Sequence, residues 1–409
     1  MAVRAGRAIG SYPEPRIPSG WQPDGAAPTD RPRPRRRETQ LRIVLGVLGV
    51  VVVAGAFSSV VRTLVLPRPS RSSFTSLVRR VLFVPYQAVA DRLGSAEAKD
   101  RVLAPVAPLS ILVTLVLWLA SFMVGYALLE AAVSDFGVKS ALSEAGSSLF
   151  TLGFASSRRS ALTAVDFCAA ATGPIVIALQ VGYLPSLYGA YARREAEVTL
   201  LQSRAGSPAW GPEILARYAQ VDLMDSLLEL FENWERWSAD VAESHTTYAV
   251  LIHFRAARAS RNWLVALIAV MDAAALHLAF NPSRPQTQVR LALRAGFVCL
   301  RDLADVRGIR YNPDPMPDDP LELDYGAFLQ GVARMVEQGF PMERSPEEAW
   351  PHFRGWRVNY ETLGYRLAYD IDAVPAPWSG PRRTAEAVVT PRTPVDRRPV
   401  GARPGQTGA

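Results

Sequence analysis

Val138-Lys139-Ser140-Ala141-Leu142-Ser143-Glu144-Ala145-Gly146-Ser147-Ser148-Leu149-Phe150-Thr151-Leu152-Gly153-Phe154-Ala155 is the stretch on which the fold turns. A hydrocarbon core about 30 Å thick needs about 20 helical residues to cross it. Residues 140–150 are too short for that and too apolar for a plain surface loop. A short helix that dips into the membrane and returns accounts for both properties, because irregular backbone at membrane depth is tolerated only where protein or a water-filled cavity surrounds it. Its C-terminus would carry the negative end of the helix dipole inward, which favours a cation.

The flanks fit such a dip. Val102–Leu129 and Phe167–Ala192 are free of charged residues and long enough to span, and so is an earlier run, Ile43–Val61. Trp118, Tyr126, Tyr183, Tyr188 and Tyr191 are suited to interfacial anchoring. The first run has a signal-peptide reading, with Arg33 to Arg37 before it and Ala54-Gly55-Ala56 within it. We expect a retained helix, because the apolar run continues to Val61 and the basic stretch before it reaches back to Arg4. Arg193 and Arg194 close the third span, so the positive-inside rule puts the polar region beyond them in the cytoplasm. By alternation the 130–166 loop is then outside, the 67–101 stretch cytoplasmic, and the tail before Ile43 outside. Within 67–101, Leu77, Val81, Leu82, Val84 and Ala88 give Phe74–Leu93 an amphipathic pattern suited to the membrane surface.

The remainder reads as a soluble helical region. Candidate helices are 211–219, 222–243, 246–258, 262–280, 286–307, 321–338 and 351–370. Trp263–Phe280 is nearly all apolar, but it contains Asp272 and His277 and is followed by Pro282, so a buried bundle helix is expected there. The net charge of +7 sits in the tails, with eight Arg against four acids in 1–40 and six against two in 374–409. Pro/Arg-rich disordered tails are expected, and a folded nucleic-acid-binding face is not. No disulfide is expected between Cys168 and Cys299, and no metal-ligand spacing or cofactor motif occurs. Neither a phosphate-cradling glycine loop, Gly-x-Ser-x-Gly nor His-Glu-x-x-His is present, so no enzyme is expected. A hydrolase triad could be assembled only on paper, from Ser244, His245, His253 and the distant Asp272; structural histidines are expected instead.

Thr151-Leu152-Gly153-Phe154-Ala155 resembles the Thr-Val-Gly-Tyr-Gly selectivity filter of the potassium-channel pore family, and it stands where that family places its filter, after a short helix and between two spans. The resemblance covers about 102–195. It implies a helix–pore loop–helix unit that assembles as a homotetramer. The Thr151 hydroxyl and the carbonyls of Thr151, Leu152, Gly153 and Phe154 would then meet a transient potassium or other monovalent cation. The sequence departs from the family at Ala155, where the last filter glycine is expected, at Ser156 in place of an Asp, and at Phe150 in place of a Thr. Arg158 and Arg159 follow at the outer mouth, where Glu130, Asp135 and Asp166 could offset them. In the third span, Gly173, Pro174, Gly182 and Pro185 mark a candidate gate or hinge, because proline removes an intrahelical hydrogen bond.

The expected architecture is an all-α membrane protein: a helix–re-entrant pore loop–helix unit with an additional N-terminal transmembrane helix and a cytoplasmic α-helical bundle. Its parts are a tail (1–40), a transmembrane helix (41–66), an amphipathic juxtamembrane segment (67–101) and a pore-type unit (102–195). That unit comprises a helix (102–130), a pore loop (138–156) and a helix (165–192). A cytoplasmic helical domain (196–373) and a second tail (374–409) complete it. The expected protein is a multi-pass, homotetrameric potassium or cation channel of the plasma membrane with a degenerate filter; the alternative is a non-conducting sensor or scaffold on the same fold.

Overall fold

In a computed structural model of the protein, residues 36–66, 73–135, 137–154, 160–383 and 387–392 are described. Every regular element among them is helical. Among the described residues, four helices are long and apolar enough to cross a membrane.

The first, α1 (Arg36–Leu64), lies antiparallel to α4 (Val106–Val133). Arg42, near the start of α1, pairs with Asp135 just past the end of α4. Trp118 donates from Nε1 to Ser59 Oγ at 3.0 Å near the other end. Glycine makes the contact close. A Cβ on Gly49 would fall 2.9 Å from the Gly125 carbonyl oxygen, and one on Gly125 would fall 2.7 Å from Val53 Cγ2. Small residues let helix backbones approach in lipid, where apolar contact alone drives no association. The antiparallel packing puts the start of α1 and the later helical domain at opposite ends of the membrane unit.

Between α1 and α4 run α2 (Ser73–Ala90) and α3 (Ala96–Leu103), the latter capped by Ser95, whose hydroxyl accepts from the Ala98 amide. After α4 come α5 (Val138–Leu149) and α6 (Ser160–Ala205). At 1.5 Å per residue, the 46 residues of α6 reach about 69 Å, more than twice the hydrocarbon thickness. Its last turns therefore leave the membrane unit, and Val198, Leu201 and Ala205 sit in the core of the helical domain.

That domain comprises α7 (Gly211–Gln220), α8 (Leu227–Thr247), α9 (Trp263–Phe280), α10 (Thr287–Arg307), α11 (Tyr325–Glu337), α12 (Pro346–Arg357) and α13 (Glu361–Asp370). α9 is its axis. All 18 of its residues are buried, although its composition would allow it to span. Helices α6, α7, α8, α10, α12 and α13 pack around it, so no side of it is left for lipid. A helix hydrophobic all round belongs either in a membrane or at the centre of a bundle; its neighbours decide for the bundle, as expected for 262–280.

Three expectations are corrected. Residues 246–258 form no helix of their own: 246–247 end the Leu227–Thr247 helix and Ala249–His253 is a short 3-10 turn, with another just beyond at Ala259–Arg261. There the carbonyls of Leu251, Phe254 and Arg255 accept from the side chains of Arg194 and Tyr191, Leu251 also taking the Phe254 amide that closes the 3-10 turn. Residues 351–370 are two helices, broken at 358–360, and the break turns both toward Asp272. Of the tail expected from 374, described residues belong to the domain: Val374, Ala376, Trp378 and Ser379 are buried, and the Val389 amide donates to the Pro375 carbonyl at 2.8 Å. Of the other expected tail, residues 36–40 begin α1, and 1–35 lie outside the described residues.

Candidate functional site

The junction of α4, α5 and α6 positions the filter-like residues. α5 starts just past the end of α4 and runs back along it, with Gly146 beside Met123 and Glu144 buried in the junction. Its end meets α6 at Gly173. A Cβ there would lie 1.9 Å from the Leu149 carbonyl oxygen, so only glycine admits the contact. Gly173 stands 13 residues into α6, which puts the end of α5 about 20 Å along that helix. Ser148 Oγ donates to Asp166 Oδ1 at 2.9 Å, and the Tyr126 hydroxyl pairs with that of Thr172 at 2.7 Å, tying all three helices together.

At its C-terminus α5 closes with a Schellman motif: the Leu152 amide donates to the Ser147 carbonyl at 2.8 Å and the Thr151 amide to the Ser148 carbonyl at 3.0 Å. The motif needs a left-handed residue, and Thr151 fills that place with φ 52°. Such a conformation costs a non-glycine residue about 1–2 kcal/mol. The Thr151 hydroxyl donates to the Phe150 carbonyl. Gly153 is also left-handed, at φ 71°. Thr151, Leu152, Gly153 and Phe154 are exposed, Leu152 and Phe154 by 62% and 67%, which is unusual for large apolar side chains at a helix end. Ala155, Ser156, Arg158 and Arg159 lie outside the described residues.

The acids expected near the mouth are otherwise disposed. Asp135 pairs with Arg42, and Asp166 holds Ser148. Glu130 is fully buried. Among the described residues no cluster of His, Cys, Asp or Glu is arranged to hold a metal ion.

The candidate hinge residues divide. Gly173 is the seat of α5, and α6 continues as one helix through Pro174 and Pro185. A Cβ on Gly182 would meet no atom within 4 Å, so that glycine serves no close contact in this chain.

A second constellation, not anticipated from the sequence, joins α6 to the helical domain. Arg194 is wholly buried. Its guanidinium donates to the carbonyls of Leu251 and Phe254, both at 2.9 Å, and to Glu195 Oε1 at 2.7 Å, and meets His245 Nε2 at 3.0 Å. Trp237 Nε1 donates to the Arg194 carbonyl, and the Tyr191 hydroxyl to that of Arg255. Arg255 in turn grips Asp100 of α3 at 2.6 Å and the carbonyls of Ile371 and Asp372. The segment 248–261 is thus held at once by α6, by the helix leading into α4, and by the end of α13. Burial and the adjacent guanidinium hold His245 well below the usual imidazole range, so it is neutral and accepts from Arg194. The visible signal was the pair Arg193-Arg194 closing a span beside Tyr191. Such a pair reads as an interfacial flank, and nothing local says that the second arginine turns inward.

The paper triad does not assemble. His245 faces Ser244 and Arg194, whereas Asp272 sits in another buried network. There Arg357, fully buried, donates to Asp272, to Glu361 at 2.8 Å and to the Tyr365 hydroxyl at 2.8 Å, while the Tyr360 hydroxyl donates to Asp272 at 2.6 Å. Every polar partner is matched, which is how a buried ion pair is tolerated. Both cysteines are free thiols, Cys168 exposed and Cys299 buried.

The chain matches no protein-family model, no curated protein and no solved structure. What the geometry defines is a class: among the described residues, an all-helical protein with apolar helices fit to cross a membrane and a helical domain packed on α6.

Proposed function

We propose that this chain is a subunit of a homotetrameric, channel-like protein of the cell membrane. In it α4, α5 with the loop after it, and α6 form the pore unit, and the helical domain lies in the cytoplasm. One observation carries the reading: a 12-residue helix runs back between two spanning helices and ends about 20 Å along the second, locked there by Gly173. That is the depth a re-entrant loop reaches, and it leaves Thr151–Phe154 exposed on a chain that cannot enclose a pore alone. Further copies around an axis would cover Leu152 and Phe154. The potassium-channel-like resemblance of this segment then gives the passing species as a monovalent cation. The Arg194–Arg255 joint supplies the route by which the domain would act on the pore helices.

A second reading, a non-conducting sensor on the same fold, is favoured by Thr151 itself. Its hydroxyl and its amide both serve the α5 cap rather than an ion path.

The test is purified protein in liposomes, with subunit count and cation flux measured on the same preparation. A tetramer that passes potassium supports the first reading. A tetramer without flux under any ion gradient selects the second, and a monomer or dimer overturns the pore.

A further inference from the structure

Helix α2 is amphipathic the wrong way round for a helix in water. Its outward positions are Leu77, Arg80, Val81, Val84, Pro85, Ala88 and Val89, spaced as one helical stripe. Leu77, Val81 and Val84 are each about 60% exposed. The inward positions include a polar residue: Gln87 is buried, donating to Asp91 at 2.7 Å and to Asp372 at 3.4 Å. Phe83 faces the ring of His253 at 6.5 Å and the guanidinium of Arg383 at 5.7 Å. The inner face of α2 is therefore bound to the helical domain, and its apolar face is uncovered.

We propose that the lipid leaflet on the side of the helical domain covers this face, with anionic headgroups at Arg80. Through Gln87 and Phe83, α2 would then clamp the helical domain to the membrane. Three observations select a lipid surface over other occupants. The stripe adjoins the membrane unit, since α2 and α3 lie between α1 and α4 in the chain and α2 packs on α4. It carries one basic residue among apolar ones, the composition of a helix lying at headgroup level. Its length of 18 residues, about 27 Å, is long enough to lie in the interface plane without crossing. The inference rests on membrane insertion and not on conduction.

The experiment uses the full chain with Cys168→Ser, which leaves only the buried Cys299. Spin labels are placed one at a time at Leu77→Cys, Val81→Cys and Val84→Cys, with Arg236→Cys as an exposed control in the helical domain. The vesicles are phosphatidylcholine with a minority of phosphatidylglycerol. Labels at 77, 81 and 84 should be more accessible to oxygen than to a water-soluble nickel chelate, and the control the reverse. Preference for the chelate at 81 and 84 overturns the proposal. So does poor access to both reagents, which would mean a protein surface covers the stripe.

The clamp is read separately, from disulfide yield between Gln87→Cys and Asp372→Cys. Val81→Asp should lower that yield severalfold in vesicles and leave it unchanged in detergent; equal loss in both would place the effect in the protein and refute the lipid role. Arg80→Gln should lower the yield in the phosphatidylglycerol vesicles and not in phosphatidylcholine alone. An equal yield in the two vesicle types refutes the anionic headgroup.

Discussion

Replacing Gly173 with alanine asks whether α5 is locked at depth. The added methyl carbon would sit 1.9 Å from the Leu149 carbonyl oxygen and 3.1 Å from its carbon. Close carbon–oxygen contacts lie near 3.3 Å, so the end of α5 must retreat by roughly 1.4 Å. Ser148 moves with it and loses its 2.9 Å hydrogen bond to Asp166, worth about 1 kcal/mol. Overpacking of a tight contact costs about 1–3 kcal/mol. Against this stands about 1 kcal/mol gained by replacing a helical glycine with alanine. The balance is a net loss of about 2 kcal/mol. Gly182 is the internal control: nothing lies within 4 Å of its Cβ position, so Gly182→Ala keeps only the gain. Thermal unfolding of the purified protein in one detergent should therefore lower the midpoint for Gly173→Ala and hold or raise it for Gly182→Ala. Hydrogen exchange of the α5 amides should quicken in the first variant alone. A Gly173→Ala midpoint at or above that of the parent would refute the seat. A fall in both would show that α6 resists substitution generally and that the contact with Leu149 is not special.

Further predictions concern the helical domain. Arg194→Lys keeps the charge but cannot span Leu251, Phe254 and Glu195 at once; with a buried carbonyl left unpaired it should cost about 1–3 kcal/mol and open 248–261 to limited proteolysis. Arg357→Met strands Asp272 and Glu361 and should cost about 3–5 kcal/mol, and adding Asp272→Asn should recover part of that loss in a double-mutant cycle of thermal midpoints. His277 is pushed down to about 4 by burial and by Arg284. It is thus neutral in the folded chain while the unfolded chain takes up a proton below about 6.5. Its contribution is complete above that value and is lost as pH falls through 6.5 toward 4, by up to about 3 kcal/mol. His245, held neutral in the same way, adds to this acid limb, so His277→Leu should flatten the pH dependence of the midpoint only in part; curves parallel to those of the parent would sink the assignment.

Composition and periodicity alone located α1, α4 and α6, because about 20 consecutive uncharged apolar residues have few uses other than crossing lipid. They also placed α5 as a short helix after the second span, and kept Trp263–Phe280 out of the membrane because Asp272, His277 and Pro282 mark it. Those are local properties of a segment and its environment. What the sequence left illegible is long-range. Gly173 looked like a hinge, since nothing in its neighbourhood shows the Leu149 carbonyl pressed against it. Arg194 looked like an interfacial flank, and its partners Leu251 and Phe254 lie more than fifty residues away. Asp272 and Arg357 are 85 residues apart, and Gln87 and Asp372 are 285 apart. The break at 358–360 and the residues after 374 bring Tyr360 and the Trp378 carbonyl into the Asp272–Arg357 network. Whether a polar side chain meets water or a partner depends on which helices pack beside it. Only the tertiary structure decided that, and with it the burial of Gln87 against Asp372 on the inner side of α2.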